Sequence, residues 1–112
     1  MAEPNVVVHH VDVPDDPLPI EAWTDDEIAA RYDVPARGAL RALQEGRADG
    51  VRRVVFVLPA TVGPASETVR ILALSAARQW ADEGVTVNCI VGDAAPAVVE
   101  FLSSGAVTGK TL

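Results

Sequence analysis

Two adjacent histidines and the aspartates that follow them are the first residues whose types suggest chemistry. His9 and His10 end a β-branched run, and Asp12 and Asp15 come soon after. Imidazole and carboxylate groups are common metal ligands, but neighbouring residues on a strand point to opposite faces of a sheet. We therefore predict no metal site at these residues and interpret them as the polar start of a loop.

The serine and threonine residues do not occur in the contexts that catalysis or phosphate binding requires. None of Ser66, Ser75, Ser103 and Ser104 occupies a G-x-S-x-G turn. The segment 108–111, TGKT, resembles the end of a phosphate-binding loop, but the first glycine is missing and the sequence stops before a helix. The sequence therefore predicts no catalytic residue and no cofactor site.

The single cysteine, Cys89, lies within an apolar run and is interpreted as a small core residue. Without a second cysteine no internal disulfide can form, so nothing requires an oxidising compartment. We recognise neither a secretory signal nor an apolar run long enough to span a membrane. The expected location is cytoplasmic.

The composition limits the classes of partner. The 112 residues carry a net charge of −7, and the acidic residues crowd the first third of the chain. Because phosphate binding needs a basic surface, this charge argues against nucleic acid. The acidic segment is either a solvated face or a surface that steers a basic partner. The single lysine, Lys110, among many arginines is typical of a bacterial genome rich in G and C.

Apolar runs with few aromatic residues alternate with helical patterns, as expected for a parallel sheet covered by helices. The length suits one domain over residues 1–112. The expected strands are 5–9, 53–58 and 85–91, with a short fourth within 107–112. The expected helices begin at Thr24, Pro64 and Asp93. This order predicts right-handed crossovers.

Local signals refine the first two helices. Thr24 and Glu27 form a capping box, and Pro35 should kink the helix or restart it because proline disfavours a helical residue before it. The central helix should run over 64–83 and stop at Gly84.

The central helix carries two apolar stripes at helical spacing, where one would suffice to cover a sheet. The second stripe therefore favours contact with a partner. The first stripe consists of Val69, Leu72, Ala76 and Trp80, and the second of Ile71, Leu74 and Ala77.

Several stretches resemble the C-terminal half of a short-chain dehydrogenase/reductase. The most specific is 74–90, LSAARQWADEGVTVNCI, which is similar to the family's helix and the strand ending in Val-Asn-Ala. The stretch 101–104, FLSS, and the stretch 107–112, VTGKTL, resemble the closing Phe-Leu-Ala-Ser and Thr-Gly-Gln-Thr-Leu. Residues 23–43 resemble the long kinked interface helix.

The departures from the family pattern remove its chemistry. No G-x-G-x-x-G turn occurs, and the Asn-Asn-Ala-Gly position reads HHVD over 9–12. The catalytic Asn, Ser, Tyr and Lys positions match Pro35, Pro59, Val62 and Ser66. The resemblance therefore implies a truncated protein that neither binds a nicotinamide dinucleotide nor reduces carbonyl substrates.

The expected fold is an α/β three-layer, partial Rossmann-like arrangement. It has a parallel sheet of three to four strands, two long helices on one face and a short helix on the other. The expected function is association without catalysis, either as a homodimer or as an accessory subunit of a full-length dehydrogenase or ketoreductase. Alternatives are a small ligand-binding domain for a nucleotide or acyl group at the strand ends, and an enzyme of unrelated chemistry. The expected contact residues are Leu40, Leu43, Val69, Leu74 and Trp80, with Arg37, Arg41 and Arg70 at the rim.

Overall fold

Three parallel strands pair in the order in which they occur along the chain. The computed structural model describes residues 6–61 and 63–112, so the predicted strand residue Asn5 lies outside the described residues. The elements are β1 (Val6–His10), α1 (Asp25–Ile28), α2 (Val34–Ala48), β2 (Arg53–Leu58), α3 (Pro64–Trp80), β3 (Thr86–Val91) and α4 (Pro96–Leu102).

Alternating residues of β2 face two different helical layers. Val54 and Phe56 pack with buried residues of α2 and α3, whereas Val55 packs with Leu102 of α4 and with Ile90. Every residue of β2 after Arg53 is buried, as the run of β-branched residues predicts for a central strand covered on both faces. The predicted three-layer α/β architecture, compatible with a partial Rossmann-like fold, is confirmed.

The first long helix contains a widened turn just before its proline. A π-helical segment, Ala29–Asp33, joins α1 to α2, and the Val34 amide donates to the carbonyl of Ala29, five residues back. This wider turn changes which carbonyl lies opposite the ring of Pro35, so the chain stays helical through both residues. The prediction that Val34 avoids the helical region is therefore wrong.

The segment 107–112 runs along the outer edge of β3. The Cys89 amide donates to the carbonyl of Lys110 at 2.8 Å, and the Leu112 amide donates back to Cys89 at 3.0 Å. A parallel bridge joins Cys89 to Thr111. The predicted fourth strand is thus present as a short extended segment, here called the C-terminal tail (107–112).

Asn88 holds the C-terminal tail through its side chain. This residue is fully buried; its Oδ1 accepts from the Lys110 amide at 2.9 Å, and its Nδ2 donates to the Val107 carbonyl at 3.2 Å. The carboxamide thereby satisfies its own polar atoms and two backbone groups in a site that excludes water. The Thr108 hydroxyl accepts from the Val87 amide in the same strip.

The crossover connection through α4 has the opposite handedness to the crossovers through α2 and α3. The sheet steps in one direction from β1 through β3 to the C-terminal tail, yet α4 lies on the face opposite to α2 and α3. Crossovers that step the same way over opposite faces have opposite hands. The prediction that all crossovers are right-handed is wrong, because the face with two helices is already filled and the other needs cover.

The helix ends agree with the sequence at some positions and not at others. Gly84 has a positive φ of 75° and follows a 3₁₀ turn that ends at Glu83, as predicted. The Thr24 hydroxyl accepts from the Glu27 amide at 3.3 Å, but the Glu27 carboxylate turns to Arg31 instead of closing the capping box. Asp93 does not cap α4, which begins at Pro96.

The packing of α4 generates a stability prediction. Leu102 is fully buried against Val55 and Ile90, whereas the ring of its neighbour Phe101 is 48% exposed. We expect Leu102→Ala to lower the free energy of unfolding by about 2–5 kcal/mol, because it leaves a cavity. The matched change Phe101→Ala should lower it by about 1 kcal/mol or less. Urea denaturation measures both, and equal losses would contradict the placement of α4.

Candidate functional site

Two of the eight predicted contact residues belong to the core of the chain itself. Leu43 and Val69 are buried together with residues of β2 and β3. Their side chains are therefore covered without any partner, and their assignment to an interface is wrong. The first apolar stripe of α3 serves the sheet, so helical spacing alone did not separate core from surface.

Leu74 and Arg70 lie on the flank of α3 that faces the C-terminal tail. A Cβ atom at Gly109 would come within 3.3 Å of Leu74 Cδ1 and 3.7 Å of Ala77 Cβ, so the tail passes close over both side chains. Arg70 borders the same crevice and pairs with Glu67 at 2.8 Å. The tail therefore covers most of the second apolar stripe.

Trp80 is half-buried at the end of α3. Its ring packs against the core, and the Arg47 guanidinium carbon lies 5.2 Å from the ring centroid in a cation–π arrangement. Arg47 also forms an ion pair with Glu83. The indole thus has partners within the chain on more than one side.

The remaining predicted contacts, Arg37, Leu40 and Arg41, are exposed on α2. Further exposed residues of the same helical layer are Val34, Ile71 and Arg78, the last two from α3. Val34, Leu40 and Ile71 are 65%, 41% and 56% exposed. Within residues 6–61 and 63–112, none of the three arginines has a carboxylate ion-pair partner. We call these six residues the outer helical surface.

The outer edge of β1 is a second surface to which the described residues add no strand. β1 pairs only with β2, and within the described part of the chain no strand pairs with its other edge. Val8 is exposed, in contrast to the buried strand that the sequence predicts. Open strand edges with apolar side chains favour pairing with another chain.

A cavity of about 250 Å³ lies at the carboxyl ends of β1 and β2. The loop after β1, the loop after β2 and the first turn of α3 form its wall. Most of the side chains that line it are apolar, including Val13, Leu18, Trp23 and Pro59. The indole nitrogen of Trp23 donates to the Leu18 carbonyl at 3.1 Å, which fixes the ring against the loop.

Arg31 lies in the lining of this cavity and holds the loop after β1 in place. Its side chain is 8% exposed; Nε donates to Glu27 Oε1 at 2.5 Å, Nη1 to the Asp16 carbonyl at 2.9 Å and Nη2 to Asp16 Oδ2 at 2.8 Å. The hydrogen bond to Glu27 chiefly raises the pKa of the Arg31 guanidinium, and Asp16 adds to the effect. The pairing ties the loop after β1 to the first helix.

Of the positions that the resemblance matches to catalytic residues, two lie at the same cavity. Pro59 and Ser66 line the cavity, whereas Pro35 is buried within α2. Val62 lies outside the described residues. None of the three described side chains carries a group that titrates near neutral pH.

The two histidines point to opposite faces, as strand alternation predicts. The His9 ring meets Phe56 edge to face at 5.7 Å, and His10 is exposed at the strand end. Burial is the main cause that lowers the pKa of His9, and the nearby His10 adds to it. Among the residues that the structure describes, no three His, Cys, Asp or Glu side chains are grouped to hold a metal ion.

Sequence reasoning did not predict that the residues lining the cavity come together to form it. The sequence pattern assigns no role in a site to Trp23 or Arg31, although it places Asp15 in the loop after the first strand. The Glu27–Arg31 spacing is a recognisable ion-pair signal along a helix. Nothing local indicates that Asp16 folds back onto Arg31, because that contact joins residues fifteen positions apart.

Comparison with known proteins does not identify a relative. No protein-family model matches the chain, and no curated protein matches it significantly. In the part of the chain that the structure describes, no helix is both long and apolar enough to cross a membrane.

Cys89 is a core residue, as predicted, and burial raises the pKa of its thiol to about 11. Above the ordinary pKa of 9.0 the unfolded chain loses this proton while the folded chain keeps it. The stabilisation of the folded chain by this protonated thiol is complete below pH 9 and is lost as the pH rises towards about 11. We expect the wild type to lose stability over this window by up to about 1.4 kcal/mol per pH unit relative to Cys89→Ala. Urea denaturation at several pH values tests this, and parallel pH profiles for the two proteins would contradict it.

Proposed function

We propose that this chain is a truncated, non-catalytic protein of the short-chain dehydrogenase/reductase type that acts by association in the cytoplasm. It forms a homodimer, or it serves as an accessory subunit of a full-length dehydrogenase or ketoreductase. The observation that carries the proposal is the outer helical surface, where three aliphatic side chains are more than two-fifths exposed.

The chemistry of this surface suits a protein partner. Apolar side chains on two adjacent helices provide area to bury, and Arg37, Arg41 and Arg78 can donate hydrogen bonds at the rim. Arginine is enriched at protein interfaces, whereas lysine is depleted there. The resemblance supports the same location, because the family that the chain resembles assembles through the corresponding two helices.

Symmetry separates the two forms of association. A two-fold dimer would bring two identical surfaces together, so one interface would contain the arginines of both copies and their mutual repulsion. A partner with acidic side chains around an apolar centre would avoid that repulsion. Both forms use the same surface, and they differ in whether the purified chain associates with itself.

The test is molar mass by light scattering over a dilution series. We expect a wild-type dimer at high micromolar concentration and a monomer after Ile71→Glu, because the change removes apolar contact area and adds a charge that must lose its hydration on association. Ile71 is a better probe than Leu74, because Leu74→Glu would also disturb the contact with Gly109.

Phe101→Glu is the matched control, because it places the same charge on an exposed apolar residue of the opposite helical layer. A compact wild-type monomer that captures no dehydrogenase from native extract would reject the proposal. If Ile71→Glu remains a dimer and Val8→Lys does not, the open edge of β1 is the interface.

The absence of the family's reaction is tested separately. The motivation is the missing glycine-rich turn and the four replaced catalytic positions. Calorimetric titration should detect no binding of NADH or NADPH at micromolar concentrations, and carbonyl substrates should not be reduced. A micromolar dissociation constant for either dinucleotide would contradict this prediction.

A further inference from the structure

The strand-end cavity has the size and lining of a small-molecule site. Its volume is about 250 Å³. A cavity of about 150 Å³ can hold benzene, so this one has room for about ten non-hydrogen atoms. Apolar walls with a few converging polar groups are typical of ligand sites. The lining combines Pro14, Leu18, Trp23 and Pro64 with the polar residues Asp15 and Ser66.

The charges around the cavity oppose an anionic ligand. Arg31 is the single basic residue in the lining, and its guanidinium already pairs with Glu27 and Asp16. Asp15 also lines the cavity and has no ion-pair partner among the residues described. The four side chains carry a local charge of about −2 near neutral pH. A phosphate or carboxylate would be repelled here, whereas an ammonium group would be attracted.

Two further features suit a ligand with an aromatic or aliphatic body and a basic end. The Trp23 indole nitrogen is occupied by Leu18, so this side chain offers its ring and not a donor. An indole ring attracts both apolar groups and cations. Ser66 borders the cavity and is 5% exposed. Its hydroxyl oxygen can accept a hydrogen bond from an ammonium group.

We propose that this cavity binds a small primary amine with an apolar body, of the arylalkylamine class. The body lies among the prolines, Leu18 and Trp23, and the ammonium group pairs with Asp15. This inference is independent of the oligomeric state of the chain. It differs from the alternative of a nucleotide or acyl ligand that the sequence left open, because the charge of the site disfavours the phosphate groups of a nucleotide and the carboxylate of a free acid.

The experiment uses the fluorescence of Trp23 in the full chain. Trp80→Phe removes the other tryptophan, so the remaining emission comes from the cavity wall. Titration with 2-phenylethylamine should change this emission with half-saturation near about 1 mM or below. The anion 3-phenylpropanoate, similar in size and shape, should give no saturation over the same range.

Two variants locate the binding site. Asp15→Asn should weaken amine binding about twofold to fivefold, as expected for an exposed ion pair, whereas Asp49→Asn at the far end of α2 should not. Gly63 lies in the cavity lining, so Gly63→Leu adds a bulky side chain at the wall and should abolish binding. A Cβ at Gly63 meets no atom within 4 Å, and φ of −157° suits any residue, so the variant should fold. Circular dichroism and thermal unfolding check that it does.

Each contrary result overturns a defined part of the proposal. Lack of saturation by the amine would reject the site. Tighter binding of the anion would reject the ligand class. Unchanged binding in a folded Gly63→Leu protein would place the amine elsewhere and would also reject the site.

Discussion

The two hydrogen bonds of the Asn88 side chain determine how one edge of the sheet is completed. A buried parallel strand must satisfy its outward amides and carbonyls, and β3 does so with the C-terminal tail. The Asn88 carboxamide fixes the tail at two points that the strand backbone does not reach. With the tail in place, Leu74 and Ala77 of α3 are covered, so this edge and the adjoining helix flank are both closed.

The opposite edge has no comparable closure within the described residues. β1 offers its outer backbone groups and Val8, and the helix beside it presents Arg37, Leu40 and Arg41. The chain is therefore asymmetric: one side is completed internally, and the other combines an open strand edge with an exposed helical surface. Our proposal of association rests on that asymmetry as well as on the amino-acid types. The cavity lies at a third place, the carboxyl ends of the strands, where ligands of open α/β sheets commonly bind.

Much of the architecture could be predicted because local signals specified it. The apolar run 53–58 gave the bounds of β2, and Pro64 and Gly84 marked the start of α3 and the stop after it. Three layers followed from strands that alternate with helices. The candidate site was harder to predict from the sequence. Val69 and Ile71 are both apolar and differ in exposure only because of what packs on each flank of α3. The same holds for Arg31, which is buried by a loop fifteen residues earlier in the chain.

The π-helical segment before Pro35 has a consequence for insertions and deletions. It amounts to one extra residue within an otherwise regular helix, and each residue of an α-helix turns the chain by about 100°. Because the wide turn accommodates that residue, deleting one residue there would convert it to a regular α-helical turn and leave the flanking parts in nearly the same orientation. If the same residues instead formed a regular α-helix, the part before the turn would be rotated by about 100° relative to α2. Arg31 would then no longer face Asp16, and the loop that it holds would lose its anchor. The wide turn thus sets the orientation, about the helix axis, of the part that carries Arg31 relative to α2.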